Sequence, residues 1–158
     1  MTYQKKTGFS LIEVLLATAV LSTVLIGLAM LLSYTIQSDT QARTKVTATD
    51  LAQAGSDFFR QERSKLGFNR LYLLLSEADS TICLNEISQS LEDHIEPGVN
   101  CYYGIEVEGI AVGFQRTASM NNLSEDLIDI EIEVSWLLDQ DEPTRVSSVS
   151  SRLQLRPN

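Results

Sequence analysis

The sequence predicts an α+β protein: one long N-terminal helix, a membrane half followed by an amphipathic half, packs on a small antiparallel β-meander of three to four strands. Three observations predict it. Residues 9–32 form an apolar run with Glu13 as its one charged member and no proline. Residues 33–66 stay compatible with a helix and also lack proline. The last third of the chain instead alternates apolar and polar residues with a period of two, as half-buried strands do.

The apolar run, about 24 residues, is long enough to cross a hydrocarbon core of about 30 Å as a helix. Lys5 and Lys6 precede it, and polar sequence begins at Ser33. A secretory signal also has a basic start and an apolar middle, but its core is only about 7–15 residues long. Here the only small-residue, cleavage-like site near the basic end comes before the run. The two lysines place the N-terminus in the cytoplasm and everything after Leu32 outside. Arg43 and Lys45, beyond the far end, are balanced by Asp39 and Asp50.

Residues 33–66 contain Gly55 as their one glycine and carry an apolar side through Ala48, Leu51, Ala54, Phe58 and Phe59. Asp50, Gln53, Asp57, Arg60 and Gln61 stand opposite. A single helix over residues 9–66 would measure roughly 87 Å at 1.5 Å per residue. Gly67 suits its C-terminal cap.

At the head of the run, Gly8-Phe9-Ser10-Leu11-Ile12-Glu13-Val14-Leu15-Leu16 resembles the class III signal of type IV pilins and type II secretion pseudopilins. That pattern is a short basic leader, a glycine, a phenylalanine that becomes the new N-terminus, and a glutamate four residues further on. The resemblance strictly covers residues 7–32. It implies that residues 1–8 are a leader removed by a prepilin peptidase, which cuts between Gly8 and Phe9 and methylates Phe9. Residues 9–32 would then be the transmembrane and filament-core helix, 33–66 its amphipathic continuation, and 67–158 a globular pilin-like head. The implied function is that of a minor pilin-like structural subunit of a type IV filament. A pseudopilin of a type II secretion or DNA-uptake system resembles the chain almost as well, and a tip adhesin is a third reading. The minor pilins are favoured by Trp136, by the serine-rich final strand and by the absence of the family's helix-kinking proline, Pro97 being the first in the chain. The implied partners are the prepilin peptidase/methyltransferase, other pilin or pseudopilin subunits, a filament assembly platform, and membrane lipid before assembly. The implied location is the cytoplasmic (inner) membrane, crossed once, then an extracellular or periplasmic filament.

Glu13 has a physical argument of its own. A carboxylate inside a membrane helix costs about 2.5–3.5 kcal/mol on insertion scales, so it calls for a partner or a function. If the chain is cut after Gly8, the new amine of Phe9 lies one turn away, about 6 Å along the axis. The resemblance implies that a neighbouring subunit's amine is the partner and that the pair sets the axial step of assembly. The competing reading puts Glu13 near the headgroups, close enough to water to need no partner.

Composition excludes several functions. The formal net charge is −9, and losing Lys5 and Lys6 would make it −11, with 10 Lys+Arg against 21 Asp+Glu. Such an acidic head argues against direct nucleic-acid binding, which needs a basic footprint, and against clinging to anionic lipid. Cys83 and Cys101, in the part expected outside, read as a disulfide. Its loop would contribute about 3 kcal/mol in the chain-entropy model. His94 is the only histidine and no CxxC occurs, which leaves too few ligands for a zinc site.

Further along, residues 68–75 fit either a short helix or a buried strand. A second helix is expected near residues 84–94 from Leu84, Ile87, Leu91 and Ile95, with His94 at its solvated C-terminus. Strands are expected near residues 102–116, 127–138 and 145–155. The second is the plainest, with Ile128, Ile130, Ile132, Val134, Trp136 and Leu138 on one face and Asp129, Glu131, Glu133 and Ser135 on the other. A lone sheet this small is marginal, so the stripe from Leu51 to Phe59 is its natural cover.

No glycine-rich phosphate loop, Ser-His-Asp set or HExxH appears, so no enzyme and no cofactor is expected. Glu106, Glu108, Asp129, Glu131 and Glu133 occupy the solvent phase of alternating strands and read as a solvated face. The turn carrying Asp139, Asp141 and Glu142 is a weak calcium candidate that lacks the glycine and distant glutamate of an EF-hand loop. An aromatic binding patch has only Tyr102, Tyr103 and Phe114 to draw on, and these read as core or sheet-face residues.

Overall fold

Helix α1 runs Leu11–Leu66, 56 residues, in the computed structural model of the protein. Residues 10–157 are described, apart from 79, 88–89, 96–100, 103, 111 and 138–145. The chain divides into two compact units, residues 1–42 and 43–158. In the first, the described residues from Leu11 onward are helical and exposed along their whole length.

The second unit starts with the amphipathic half of α1. Gly67 ends that helix: with φ at 79° it adopts the left-handed conformation that glycine accepts without strain, and its amide donates to the Arg63 carbonyl at 2.9 Å. Arg63 and Lys65 in the last turn suit the negative end of the helix dipole. The Gly67 carbonyl then accepts from Leu71 and opens α2, Phe68–Glu77, which buries Leu71 and Leu75 four residues apart. The ambiguous run 68–75 is therefore helical.

Strands β1 (Thr81–Cys83), β2 (Phe114–Ser124), β3 (Leu127–Leu137) and β4 (Val146–Leu155) form one antiparallel sheet in sequence order. A short helix, α3 (Leu91–His94), lies between β1 and β2 in the chain, opened by a capping box of Ser90 and Asp93. Alternation puts Ile128, Ile130, Ile132, Val134 and Trp136 of β3 on the inner face. The register adds Phe114 and Ala118 from β2 and Leu153 and Leu155 from β4. These residues share one core with Ala48, Ala52 and Phe59 of α1 and with Leu71 and Leu75 of α2.

The helix comes close to the sheet because its sheet-facing positions are small. A Cβ on Gly55 would lie 3.0 Å from Ile132 Cγ2 and 3.2 Å from Arg116 Cδ, so a larger residue would push the sheet away. Beside it the Ser56 and Ser151 hydroxyls meet at 3.2 Å. Arg116 is the unexpected member of the inner face, only 2% exposed. Its Nε donates to the Leu84 carbonyl at 2.8 Å and its Nη1 to the Leu51 carbonyl at 2.9 Å. One side chain thus ties β2 to α1 and to the segment after β1. Burial pushes its pKa down to about 10, which leaves it charged at neutral pH.

Two expectations are corrected. Of the strand expected near residues 102–116, only residues 114–116 are strand among the described residues. Ile105 makes one isolated bridge to Phe114, Gly109 turns with φ at 82°, and the strand instead runs from Phe114 to Ser124. Its second half is polar, and a register shift between Met120 and Asn122 breaks the alternation that would have marked it. The helix expected near residues 84–94 shrinks to α3. Ile82 is taken by pairing with Ala118, and Leu84 donates its amide to Arg116 as a continuation of that edge.

Gly55→Val should lower the stability of the full chain in detergent by about 1–3 kcal/mol, the usual cost of overpacking. Gln53→Val, on an exposed position of the same helix, should change it by less than about 0.5 kcal/mol. Urea unfolding followed by emission from Trp136, the single tryptophan and 5% exposed, makes the comparison.

Candidate assembly site

Gly8 and Phe9 lie outside the described residues, so the site begins at Ser10. The Ser10 carbonyl accepts from Glu13 N at 2.9 Å and from Val14 N at 3.3 Å, which places Glu13 in the first turn of α1. There the dipole's positive end favours a carboxylate. Glu13 lines a shallow, mostly apolar recess with Val14, Ala17, Thr18 and Leu21. No described side chain pairs with it.

The residues around and beyond Glu13 are exposed and apolar: Leu11 at 79%, Met30 at 70%, Leu32 at 63%. This segment is long and apolar enough to cross a membrane, and none of it is buried within the chain. Several of the hydroxyls in and just beyond it bond within the helix. Thr18, Ser22, Thr23 and Thr35 donate to the carbonyls of Leu15, Thr18, Val20 and Leu31 at 2.7–2.9 Å. A polar group that meets its need inside its own helix costs little in a lipid or protein interior. The sequence places these residues inside the run without showing that they bond backward.

In the head, Cys83 and Cys101 are joined, with Cα atoms 5.3 Å apart. Asn85 and Gln115 hold the segment that carries Cys101. Asn85 Nδ2 donates to the Tyr102 carbonyl at 2.6 Å, and Gln115 Nε2 to the Cys101 carbonyl at 3.1 Å. Asn85 Oδ1 accepts from the Arg116 amide at 3.0 Å, so the same amide side chain links this loop to β2. Of the aromatic trio, Phe114 is in the core, Tyr102 is 63% exposed rather than packed, and Tyr103 lies outside the described residues.

The carboxylates do not converge. Glu106, Glu108 and Glu133 are exposed, and Glu131 accepts from Asn121 at 3.1 Å. Asp129 departs from the solvated-face reading, being 2% exposed. Arg152 forks over it from β4, with Nε 2.9 and 3.1 Å from its two oxygens and Nη2 on Oδ2, and Gln154 approaches from the same side. The cover is one layer thick, since the Arg152 side chain is itself 63% exposed. His94 is half-buried rather than on open surface, with its ring edge-on to Phe58 at 5.8 Å and its Nε2 without a hydrogen-bond partner. No group of three or more His, Cys, Asp or Glu among the described residues is placed to hold a metal ion. Asp139, Asp141 and Glu142 lie outside those residues.

Hydrogen bonding from Arg152 holds the Asp129 carboxyl below its ordinary range, against the opposing effect of desolvation. A carboxylate with a depressed folded-state pKa stabilises the fold above about pH 4, and that stability is lost as pH falls through the folded value. Asp129→Asn should therefore lower the urea midpoint at pH 7. The gap from the unchanged chain should narrow steadily toward pH 2, as read by Trp136 emission.

The prokaryotic N-terminal methylation motif matches residues 3–29, from before Lys5 and Lys6 to near the far end of the apolar run. No curated protein and no solved structure matches the chain. The motif is the class III signal of type IV pilins, and in this chain it opens a long helix whose second half packs on a four-stranded antiparallel sheet, an arrangement that is pilin-like.

Proposed function

We propose that the chain is a minor pilin-like structural subunit of a type IV filament, cut between Gly8 and Phe9, methylated at Phe9 and assembled through α1. The observation that carries this is the exposed apolar half of α1 with Glu13 in its first turn. Before cutting, that segment lies in the cytoplasmic membrane with the N-terminus inside and the head outside. The oxidised Cys83–Cys101 pair supports that side for the head. After cutting, the helix leaves lipid for a bundle of like helices without exposing backbone polar groups. Glu13 then meets the N-terminal amine of a neighbour, which replaces the lost hydration of both charges.

The chemistry asked of the chain is assembly. Among the described residues the carboxylates do not cluster and the one histidine packs on Phe58, an arrangement that gives no support to an acid–base reading. The methylation motif serves a pseudopilin of a secretion or DNA-uptake filament equally well, since each needs the same cut and the same helix. Counting the chain on shed filaments against their major subunit separates these cases. A minor pilin is found at low copy along or at the end of the surface filament, and a pseudopilin is absent from it.

Gly8→Ala should abolish the mobility shift produced by a prepilin peptidase, and unchanged processing would overturn the assigned cut. Glu13→Ala should give normally cut protein that stays in the membrane fraction, with filament incorporation down by about tenfold or more, in line with losing a partner for a buried charge. Normal incorporation would remove Glu13 from the mechanism.

A further inference from the structure

The sheet ends at β4, and no described element pairs with that strand's second edge. Exposed edges attract other chains, and proteins usually blunt them with proline, lysine, a bulge or short length. β4 has little of this: it is 10 residues long, contains no proline or lysine, pairs with β3 without a register shift, and turns its one charged side chain, Arg152, onto Asp129 of β3. A groove of about 240 Å³ runs beside it, with residues 149–152 on one wall. Alternate side chains of a strand point to opposite faces. Four consecutive residues therefore line one groove only where it opens on the strand's own edge. The other wall is a single stripe of α1: Thr49, Gln53, Ser56 and Arg60.

The groove is also a local exception to the chain's charge. No carboxylate lines it, although the net charge is −9. Arg60 gives Nη1 to Asp57, and Arg152 gives Nε and Nη2 to Asp129, so each guanidinium keeps donors for a further acceptor. A second copy's β4 would bring serine, valine or another arginine to these positions.

We infer that β4 receives an extended segment of a different polypeptide by strand addition, and that the segment carries carboxylates at alternate positions, on the face turned to Arg60. Its backbone completes the ladder of β4, and its alternate side chains enter the groove against α1. This surface lies wholly within the head and does not depend on how the N-terminus is processed.

The test uses the full chain in detergent micelles and three labelled decapeptides: alternating Thr-Glu, the same peptide N-methylated at every second amide, and alternating Thr-Lys. The Thr-Glu peptide should bind by fluorescence anisotropy and slow amide exchange across residues 146–155. The N-methylated peptide should bind at least about tenfold more weakly, because it cannot complete the ladder. The Thr-Lys peptide and the Arg60→Glu variant should each weaken binding about fivefold, the scale of exposed charge pairs. Trp136 emission checks that the variant is folded, and Arg60→Gln replaces it if it is not. Equal binding of the N-methylated or the lysine peptide would overturn the inference. So would unchanged exchange in β4 at millimolar Thr-Glu peptide. Concentration-dependent protection of β4 without any peptide would assign the edge to a second copy and overturn it equally.

Discussion

The head depends on how closely α1 lies on the sheet. Four residues set that distance: Ala48, Ala52 and Gly55 by being small, and Ser56 by hydrogen bonding to Ser151 rather than standing off from it. A helix backbone near enough to Ile132 to exclude a Cβ leaves no room for the bulky aliphatic stripe that usually covers a sheet. The apolar volume is supplied instead by the isoleucines of β3 and by Phe59 and Phe114. Close approach also makes Arg116 workable. Its guanidinium reaches the Leu51 carbonyl on α1 directly, so a buried cation costs less here than in a wider core. Removing the small residues would break that bond as well as the packing.

The same helix must satisfy two surroundings. Its second half pairs small residues with a sheet. Its first half presents leucines, isoleucines and valines outward and gives its hydroxyls to its own carbonyls. That internal bonding leaves Glu13 as the one charged group in the described apolar run, with no partner among the described side chains. In lipid or in a filament core the unmet need has the same remedy, an adjacent positive charge.

Much of this was legible in the sequence, and for definite reasons. The helix showed because length and proline absence are local properties. β3 showed because Ile128 to Trp136 alternates without interruption. β2 was hidden because its inner face includes Arg116, Ala118 and Met120, which carry little of the apolar signal that marks a strand, and because the irregularity at Met120 resets its period. The short helix near residue 91 was overextended, since Leu84 and Ile87 share its spacing while Leu84 is already committed to the edge beside β1. At the candidate site the position of Glu13 in the first turn of α1 was legible, as the one charge in an apolar run. Asp129 was not, because its carboxylate is buried by Arg152 and Gln154 of a different strand, and cross-strand neighbours follow from register.

That register also fastens the outer edge of the sheet through Arg152. Arg152 lies opposite Glu131 and reaches diagonally to Asp129, so β4 is fastened to β3 by a charge pair that faces away from the core. Apolar contacts on the inner side hold Val149, Leu153 and Leu155, and the ion pair holds the same strand from the outer side. An edge strand fixed on both faces keeps a straight, unbulged backbone. Such a backbone is a good template for another strand, and fastening β4 this firmly to β3 leaves its second edge geometrically ready to pair.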